Sequence, residues 1–179
     1  MGRWADPDVI AAAVRGRSAA DALIAQIWPA CFRLAATLTG DSALAQDAAQ
    51  EACVQVYRKV RGLRNIDAFD AWIYRIVVRE ALRVRGKRPT EAVYEQSVFP
   101  HDGVSVDVWR ALESLSPEQR AVCVLYYFDD FTTAEIAGIL RAPHATVRTR
   151  LARARERLAG LLEDYAGDFR PVTEVRNAC

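Results

Sequence analysis

The sequence is short of the residues on which many enzymes and metalloproteins depend. It has only two histidines, His101 and His144, in 179 residues, which leaves little material for a histidine-rich metal centre or a Ser-His-Asp triad. Its four cysteines lie far apart and form no CxxC pair, so neither a zinc site nor a disulfide framework is indicated. We therefore predict no catalytic residues, no metal and no cofactor.

The sequence also lacks a secretory signal and, by inspection, any apolar run near the length that spans a bilayer. Its composition, 51% hydrophobic and 26% charged, is typical of a globular protein, and its length suits one or two small domains. Cysteines without a pairing framework fit a reducing compartment. We predict a cytoplasmic protein with no membrane insertion.

The net charge is only +1, yet the charges are sorted along the chain. Residues 54–88 carry ten basic and three acidic residues, 89–135 carry two and nine, and 141–157 carry six and one. Lysine and arginine supply most non-specific affinity for nucleic acid by neutralising phosphates. Two basic blocks therefore suggest two polyanion-binding surfaces, and the alternative is a pair of solvated helix faces.

Apolar residues recur at spacings of three and four almost throughout, which predicts an all-α protein. We expect helices near residues 6–16, 18–39, 42–61, 67–86, 104–114, 117–128, 133–140 and 144–163. The stretch "RPTEAVYEQSVFPHDGV" has two prolines, a glycine and no sustained period, which is typical of a flexible linker. The prediction is two small helical domains: 1–88, a linker at 89–103, a second domain at 104–163 and a tail at 164–179.

The second domain has the pattern of a helix-turn-helix. Thr132 and Glu135 have the spacing of a capping box, and Pro143 forces a break before the next helix. On that helix a core face is predicted for Val147, Leu151, Ala154, Leu158 and Leu161. The opposite face carries Ala145, Arg148, Thr149, Ala152 and Arg153, where arginines could reach DNA bases or phosphates.

Three stretches together resemble the extracytoplasmic-function (ECF) group of bacterial RNA polymerase sigma factors. "ALESLSPEQRAVCVLYYFDDFTTAEIAGIL" and the following "ATVRTRLARARERL" are similar to the family's region 4. "DSALAQDAAQEACVQVYRKV" is similar to its region 2, and "FDAWIYRIVVREALRVRGKR" to the segment that follows. The three matches occur in the family's order.

The resemblance implies a promoter-recognition subunit without catalytic activity. Its partners would be core RNA polymerase and promoter DNA, and an anti-sigma factor is a further partner that it allows. The first domain would bind polymerase and melt the −10 element, and the second would recognise the −35 element. The alternative function is a stand-alone helix-turn-helix transcriptional regulator, which would bind its operator without polymerase.

The resemblance also implies which residues make each contact. The residues expected to bind core polymerase are Asp47, Gln50, Glu51, Val54 and Arg58. Those expected at the −10 element are Trp72, Arg75, Arg79, Arg83, Arg85, Lys87 and Arg88. Those expected at the −35 element are His144, Ala145, Thr146, Arg148, Thr149, Arg150 and Arg153.

The chain departs from the family pattern at several of these positions. Arg79 stands where the family commonly has asparagine and Arg83 where it has aspartate, while Gln46 replaces a more usual glutamate. Arg141 and Ala145 replace glycines in the helix-turn-helix, so we expect a small local distortion of the turn.

Two structural alternatives apply to the first domain. Its aromatic residues Phe69 and Trp72, with Ile73, could pack in the core, and Asp67, Asp70 and Glu80 could balance the stripe formed by Arg75, Arg79 and Arg83. The tail, which includes Cys179, carries no pattern that we can interpret.

Overall fold

A computed structural model describes residues 4–86 and 106–161, and both stretches are helical. The chain forms two compact units, Met1–Asp102 and Gly103–Cys179. The all-α prediction is confirmed. The predicted linker, the predicted tail and the site residues Lys87 and Arg88 lie outside the described residues.

The first unit has four helices, α1 (Pro7–Arg15), α2 (Ala20–Thr39), α3 (Ser42–Lys59) and α4 (Phe69–Arg85). Helix α2 ends at Gly40, whose φ of 69° is left-handed, a conformation that glycine adopts without steric cost. Asp41 then caps α3, because its side chain accepts a hydrogen bond from the Leu44 N–H at 2.9 Å. The Gly-Asp pair therefore sets the tight connection between the two longest helices.

The core of this unit lies between α2, α3 and α4, with α1 packed on α2. Its fully buried side chains include Leu23, Ile27, Val56, Ile73 and Val77. Each such burial stabilises the fold by about 1.5 to 3 kcal/mol relative to exposure.

By length and composition, α2 could cross a membrane, since it has twenty residues and a window of mean hydropathy 1.3. The expectation that no apolar run approaches that length was therefore wrong. Half of the window is buried inside the unit, because Leu23, Ile27 and Leu38 contribute to the core. Packing against the other helices explains why α2 is so apolar.

The second unit also has four helices, α5 (Val106–Glu113), α6 (Pro117–Tyr127), α7 (Thr133–Leu140) and α8 (His144–Ala159). Capping boxes start α6, at Ser116 and Gln119, and α7, at Thr132 and Glu135. The second of these was predicted and is confirmed. The core is formed by side chains of α6, α7 and α8, including Val122, Leu125, Ile136, Val147 and Leu151.

The turn between α7 and α8 is built on Arg141, which has φ 50° and ψ 43°. Its backbone N–H donates to the Ala137 carbonyl, and so does that of Ala142 at 3.1 Å. The expected local distortion is thus a left-handed arginine where a glycine would be unstrained. The fold of the helix-turn-helix is kept.

The helix ends differ from the predicted ones in two places. Helix α8 stops at Ala159 rather than 163, and Leu161, predicted on the core face, lies past its end and is 55% exposed. Two short 3₁₀ turns, Val60–Gly62 and Ile66–Ala68, replace the predicted helix ends around the α3–α4 connection. Ends of this kind depend on tertiary contacts that periodicity does not report.

Two of the cysteines, far apart in sequence, meet in the core of the first unit. Cys31 on α2 and Cys53 on α3 are buried free thiols joined by a hydrogen bond. That hydrogen bond and burial raise the pKa of Cys31. In the second unit, burial raises the pKa of Cys123 to about 12, so this thiol stays protonated at neutral pH.

Candidate polymerase and DNA interfaces

The predicted polymerase-binding residues form one stripe along α3. Asp47, Gln50, Val54 and Arg58 are exposed, and Glu51 is half-buried. The opposite face carries the core residues, mostly alanines, because small side chains let α3 pack closely on its neighbours. Side chains that sequence reasoning placed together therefore share a solvent-facing surface.

Val54 is the apolar centre of this α3 stripe. It is 39% exposed, which is unusual for a large aliphatic side chain in the described part of the chain. Beside it, Glu51 accepts a hydrogen bond from Gln55 at 3.0 Å. An exposed apolar residue with a charged rim is the composition of a protein interface.

The aromatic residues at the start of α4 divide between the core and the surface. Phe69 and Ile73 are buried, as the structural alternative required, and Tyr74 is buried against Trp4, with ring centroids 4.9 Å apart. Trp72 is half-buried and packs on Phe69 at 5.8 Å. Trp72 is therefore the ring of this group that retains a surface for stacking.

The arginine stripe of α4 is organised by one buried carboxylate. Arg79 donates to Glu80 Oε1 from Nε at 3.1 Å and from Nη2 at 2.8 Å, and Arg83 Nε donates to Oε2 at 2.6 Å. Burial works to raise the pKa of Glu80, but hydrogen bonds from Arg83 and Arg79 hold it below its usual range. Of the three acids considered from the sequence, Glu80 is the one that these contacts involve.

The other two arginines of this group make contacts with the backbone. Arg75 Nε donates to the Ala71 carbonyl of its own helix at 3.1 Å and is half-buried. Arg85 Nη1 donates to the Thr39 carbonyl at the end of α2. Arg85 therefore joins two helices of the unit, a structural contact that the sequence did not reveal.

The predicted DNA-facing residues of α8 are sorted as expected around that helix. His144, Ala145, Arg148, Thr149 and Arg153 are exposed, whereas Thr146 and Arg150 are half-buried. His144 Nε2 lies 2.8 Å from Thr133 Oγ1 at the start of α7, so this histidine links the two helices of the motif.

An open groove of about 540 Å³ runs along the exposed side of α8. Its lining includes Arg148, Thr149 and Ala152 of α8, with Thr133 of α7 and Tyr126 of α6. Donors from three helices thus surround a solvent-filled channel beside the arginine-rich face.

Arg155 is a wall of this groove that the sequence analysis missed. Its guanidinium lies over the rings of Tyr126 and Tyr127, at 5.2 and 5.7 Å from their centroids, and its Nε donates to the Tyr127 hydroxyl at 2.7 Å. The tyrosines hold the cation in place by cation–π attraction. The signal in the sequence was the Tyr-Tyr pair at the end of α6, whose contact with α8 only the fold reveals.

Within residues 4–86 and 106–161, no group of three or more histidine, cysteine or acidic side chains could hold a metal ion. The surfaces described above offer exposed guanidinium groups, one aromatic face and one apolar side chain. Such surfaces bind polyanions and proteins.

Comparison with known proteins identifies both units. The sigma-70 region 2 model matches residues 23–88, and the sigma-70 region 4 model matches residues 105–158. The chain is 34% identical over 165 residues to the ECF RNA polymerase sigma factor SigM of Mycobacterium tuberculosis, covering 88% of this chain and 84% of SigM. The chain belongs to the sigma-70 family of RNA polymerase sigma factors.

Within that family, the chain is a member of the ECF group. It is 29% identical over 163 residues to the ECF factor SigE of Mycolicibacterium smegmatis, covering 83% of this chain and 63% of SigE. The protein is thus a non-enzymatic subunit that directs promoter-specific initiation by RNA polymerase. The alternative of a stand-alone regulator is set aside by this membership.

A solved structure supports the same architecture. The fold is similar to that of the sigma factor RpoE from Bartonella quintana in its co-crystal with the anti-sigma factor NepR. The TM-score is 0.63 at 25% identity, covering 76% of this chain and 91% of that chain.

Proposed function

We propose that the two units divide promoter recognition between three surfaces. The exposed stripe of α3 binds core RNA polymerase, the arginine stripe of α4 engages the melted −10 element, and the exposed face of α8 reads the −35 element. The observation that carries the proposal is the sorting of α8, whose Arg148 and Thr149 are exposed while Val147 and Leu151 are buried.

The α8 assignment is supported by how the helix is seated. Buried Val147, Leu151 and Ala154 hold one side of α8 against the core, which leaves the other side free to enter a major groove. The groove beside it, with Arg148 and Arg155 at its wall, has the cationic donors that a phosphate backbone requires.

The α4 assignment is supported by charge and by one ring. Arg75, Arg79 and Arg83 follow each other at intervals of four residues and share one side of α4. Trp72 adds a half-exposed aromatic surface at the start of the same helix. Cationic side chains with a stacking surface suit unpaired bases and their backbone.

The α3 assignment is supported by the exposed Val54 within a charged rim. The charged rim steers and orients a partner, while the apolar centre supplies area that association removes from water.

We further infer a cytoplasmic protein, since its partners would be polymerase and promoter DNA, that is held inactive by an anti-sigma factor. The support for this regulation is the likeness to a sigma factor that was solved in complex with an anti-sigma factor.

The direct test is in vitro transcription with the purified full chain, bacterial core polymerase and genomic templates from the source organism. We expect defined start sites preceded by a shared pair of promoter elements. Sequence-specific DNA binding by the chain alone, with no start sites in the presence of polymerase, would contradict the proposal.

A further inference from the structure

Glu80 is a buried acidic residue in the middle of a surface proposed to bind an anion. We propose that Glu80 is a positioning residue, which fixes the guanidinium groups of Arg79 and Arg83 so that both present their outer donors to the phosphates of one promoter strand. This inference rests on the role proposed above for the arginine stripe of α4.

The geometry divides the carboxylate between the two arginines. Oε1 receives two hydrogen bonds from Arg79, at 3.1 and 2.8 Å, and Oε2 receives one from Arg83 at 2.6 Å. Arg79 thus contributes two of its donors and Arg83 one to the carboxylate. A guanidinium group carries five N–H donors, so each arginine keeps donors for a ligand.

Exposure shows which side of the cluster is open. The Glu80 side chain is 4% exposed, whereas those of Arg79 and Arg83 are 56% and 44% exposed. The carboxylate therefore holds the two cations from beneath, and their outer edges face solvent. A phosphate could approach those edges without displacing Glu80.

One carboxylate does not neutralise the stripe. Arg75, Arg79 and Arg83 carry three positive charges against the single negative charge of Glu80, so the surface stays cationic. What Glu80 removes is conformational freedom, because a free arginine side chain loses rotamer entropy on binding. Two arginines that are already ordered bind an anion with a smaller entropic cost.

The competing explanation is that Glu80 only relieves repulsion between like charges four residues apart. The two explanations predict opposite signs. If Glu80 acts through charge alone, its removal makes the surface more positive, and DNA binding becomes tighter with a steeper salt dependence. If Glu80 positions the arginines, its removal weakens binding although the positive charge has increased.

The experiment uses holoenzyme reconstituted from the full chain and core polymerase. The probe is a fluorescent single-stranded oligonucleotide with the non-template −10 sequence of a promoter that the chain itself transcribes, and Kd is measured over a range of KCl concentrations. We expect Glu80→Gln to raise Kd by about three- to tenfold, on the scale of the ordering cost of one or two side chains. Co-purification with polymerase should remain unchanged.

A second variant covers the case in which a buried amide destabilises the unit. Glu80→Asp keeps the charge but shortens the side chain by one methylene, so the carboxylate can no longer reach both arginines in the same way. We expect a similar rise in Kd, whereas the charge explanation predicts no change. Asp67→Asn is the matched control, because it removes an exposed carboxylate near α4 that these contacts do not involve.

Failure of this inference can be told apart from failure of the proposed −10 role. Arg79→Gln with Arg83→Gln removes the cations and leaves amides that can still bond to Glu80. If this pair weakens binding while both Glu80 variants bind as tightly as the wild type or more tightly, the positioning role is wrong and the stripe remains. If the arginine pair binds normally, the stripe itself is not a DNA surface.

Discussion

Arg148 is the α8 side chain at which the proposed −35 role can be tested most directly. It is exposed and lines the groove beside α8. Arg148→Ala should weaken binding of holoenzyme to duplex promoter DNA. If Arg148 reads a base, the loss is about 1 to 3 kcal/mol at promoters with that base, and if it binds phosphate, all sequences weaken with a lower salt slope. Competition binding on a panel of −35 variants separates the two.

Arg157→Ala is the matched control for this prediction. Arg157 is also exposed on α8, but it lies roughly half a turn out of phase with Arg148, and its Nε donates to Ser114 Oγ at 3.4 Å. Its loss should leave the sequence preference unchanged. Equal effects of the two substitutions would mean that the exposed face does not read DNA.

Single residues also show where sequence reasoning reaches its limit. That Arg79 and Arg83 are exposed follows from their spacing, but that Glu80 joins them depends on rotamers and burial. Arg83→Asp, which restores the family's usual residue, would place a second carboxylate beside Glu80 and disturb the fold. Glutamine is the cleaner substitution, and this choice required the structure.

At the scale of elements, the α7–α8 turn carries strain that a single substitution should relieve. Arg141 has φ 50°, and the left-handed region costs a residue with a side chain about 1 to 2 kcal/mol. Glycine avoids this cost but loses part of the gain through its greater freedom when unfolded. We expect Arg141→Gly to stabilise the protein by about 0.5 to 1 kcal/mol, measured by urea unfolding of the full chain.

Arg141→Ala provides the control, because alanine meets the same steric cost in the left-handed region as arginine. It should not stabilise the protein. A gain of the same size in both variants would attribute the effect to the lost charge rather than to the backbone.

The α3 stripe supports a second prediction at this scale. Asp47→Lys with Glu51→Lys should abolish co-purification with core polymerase, because the charged rim of the proposed interface is inverted. Thermal unfolding should change little, since exposed charges contribute little to stability. Asp21→Lys, at an exposed position on α2, should leave polymerase binding intact. Retained binding by the double variant would exclude the α3 face as the contact.

The helices were predictable wherever their ends carry chemical signals. The capping box at Thr132 and the break at Pro143 fixed α7 and the start of α8, and the cap at Asp41 fixed α3. Periodicity alone extended α8 beyond its end and turned two 3₁₀ turns into α-helix. Those ends are set by contacts between elements, which no local pattern contains.

At the scale of the whole molecule, a net charge of +1 conceals two cationic surfaces in different compact units. Sequence blocks of like charge were enough to locate both surfaces. They were not enough to find Arg155 with its tyrosines, because those contacts join residues 28 positions apart. Long-range pairs of this kind arise only when helices pack.

The separation into two units predicts that the two proposed DNA contacts act independently. Arg75→Gln removes a cation from α4, and Arg148→Ala removes one from α8. Substitutions at independent sites add within about 0.3 to 0.5 kcal/mol, so the double variant should lose the sum of the two single losses in promoter binding. Its salt slope should fall by roughly 0.7 for a single-strand phosphate contact and 0.9 for a duplex contact. Holoenzyme binding to one promoter, measured for the four proteins over a range of KCl concentrations, gives both quantities. A double variant no weaker than the weaker single variant would show that one contact forms only when the other is already made.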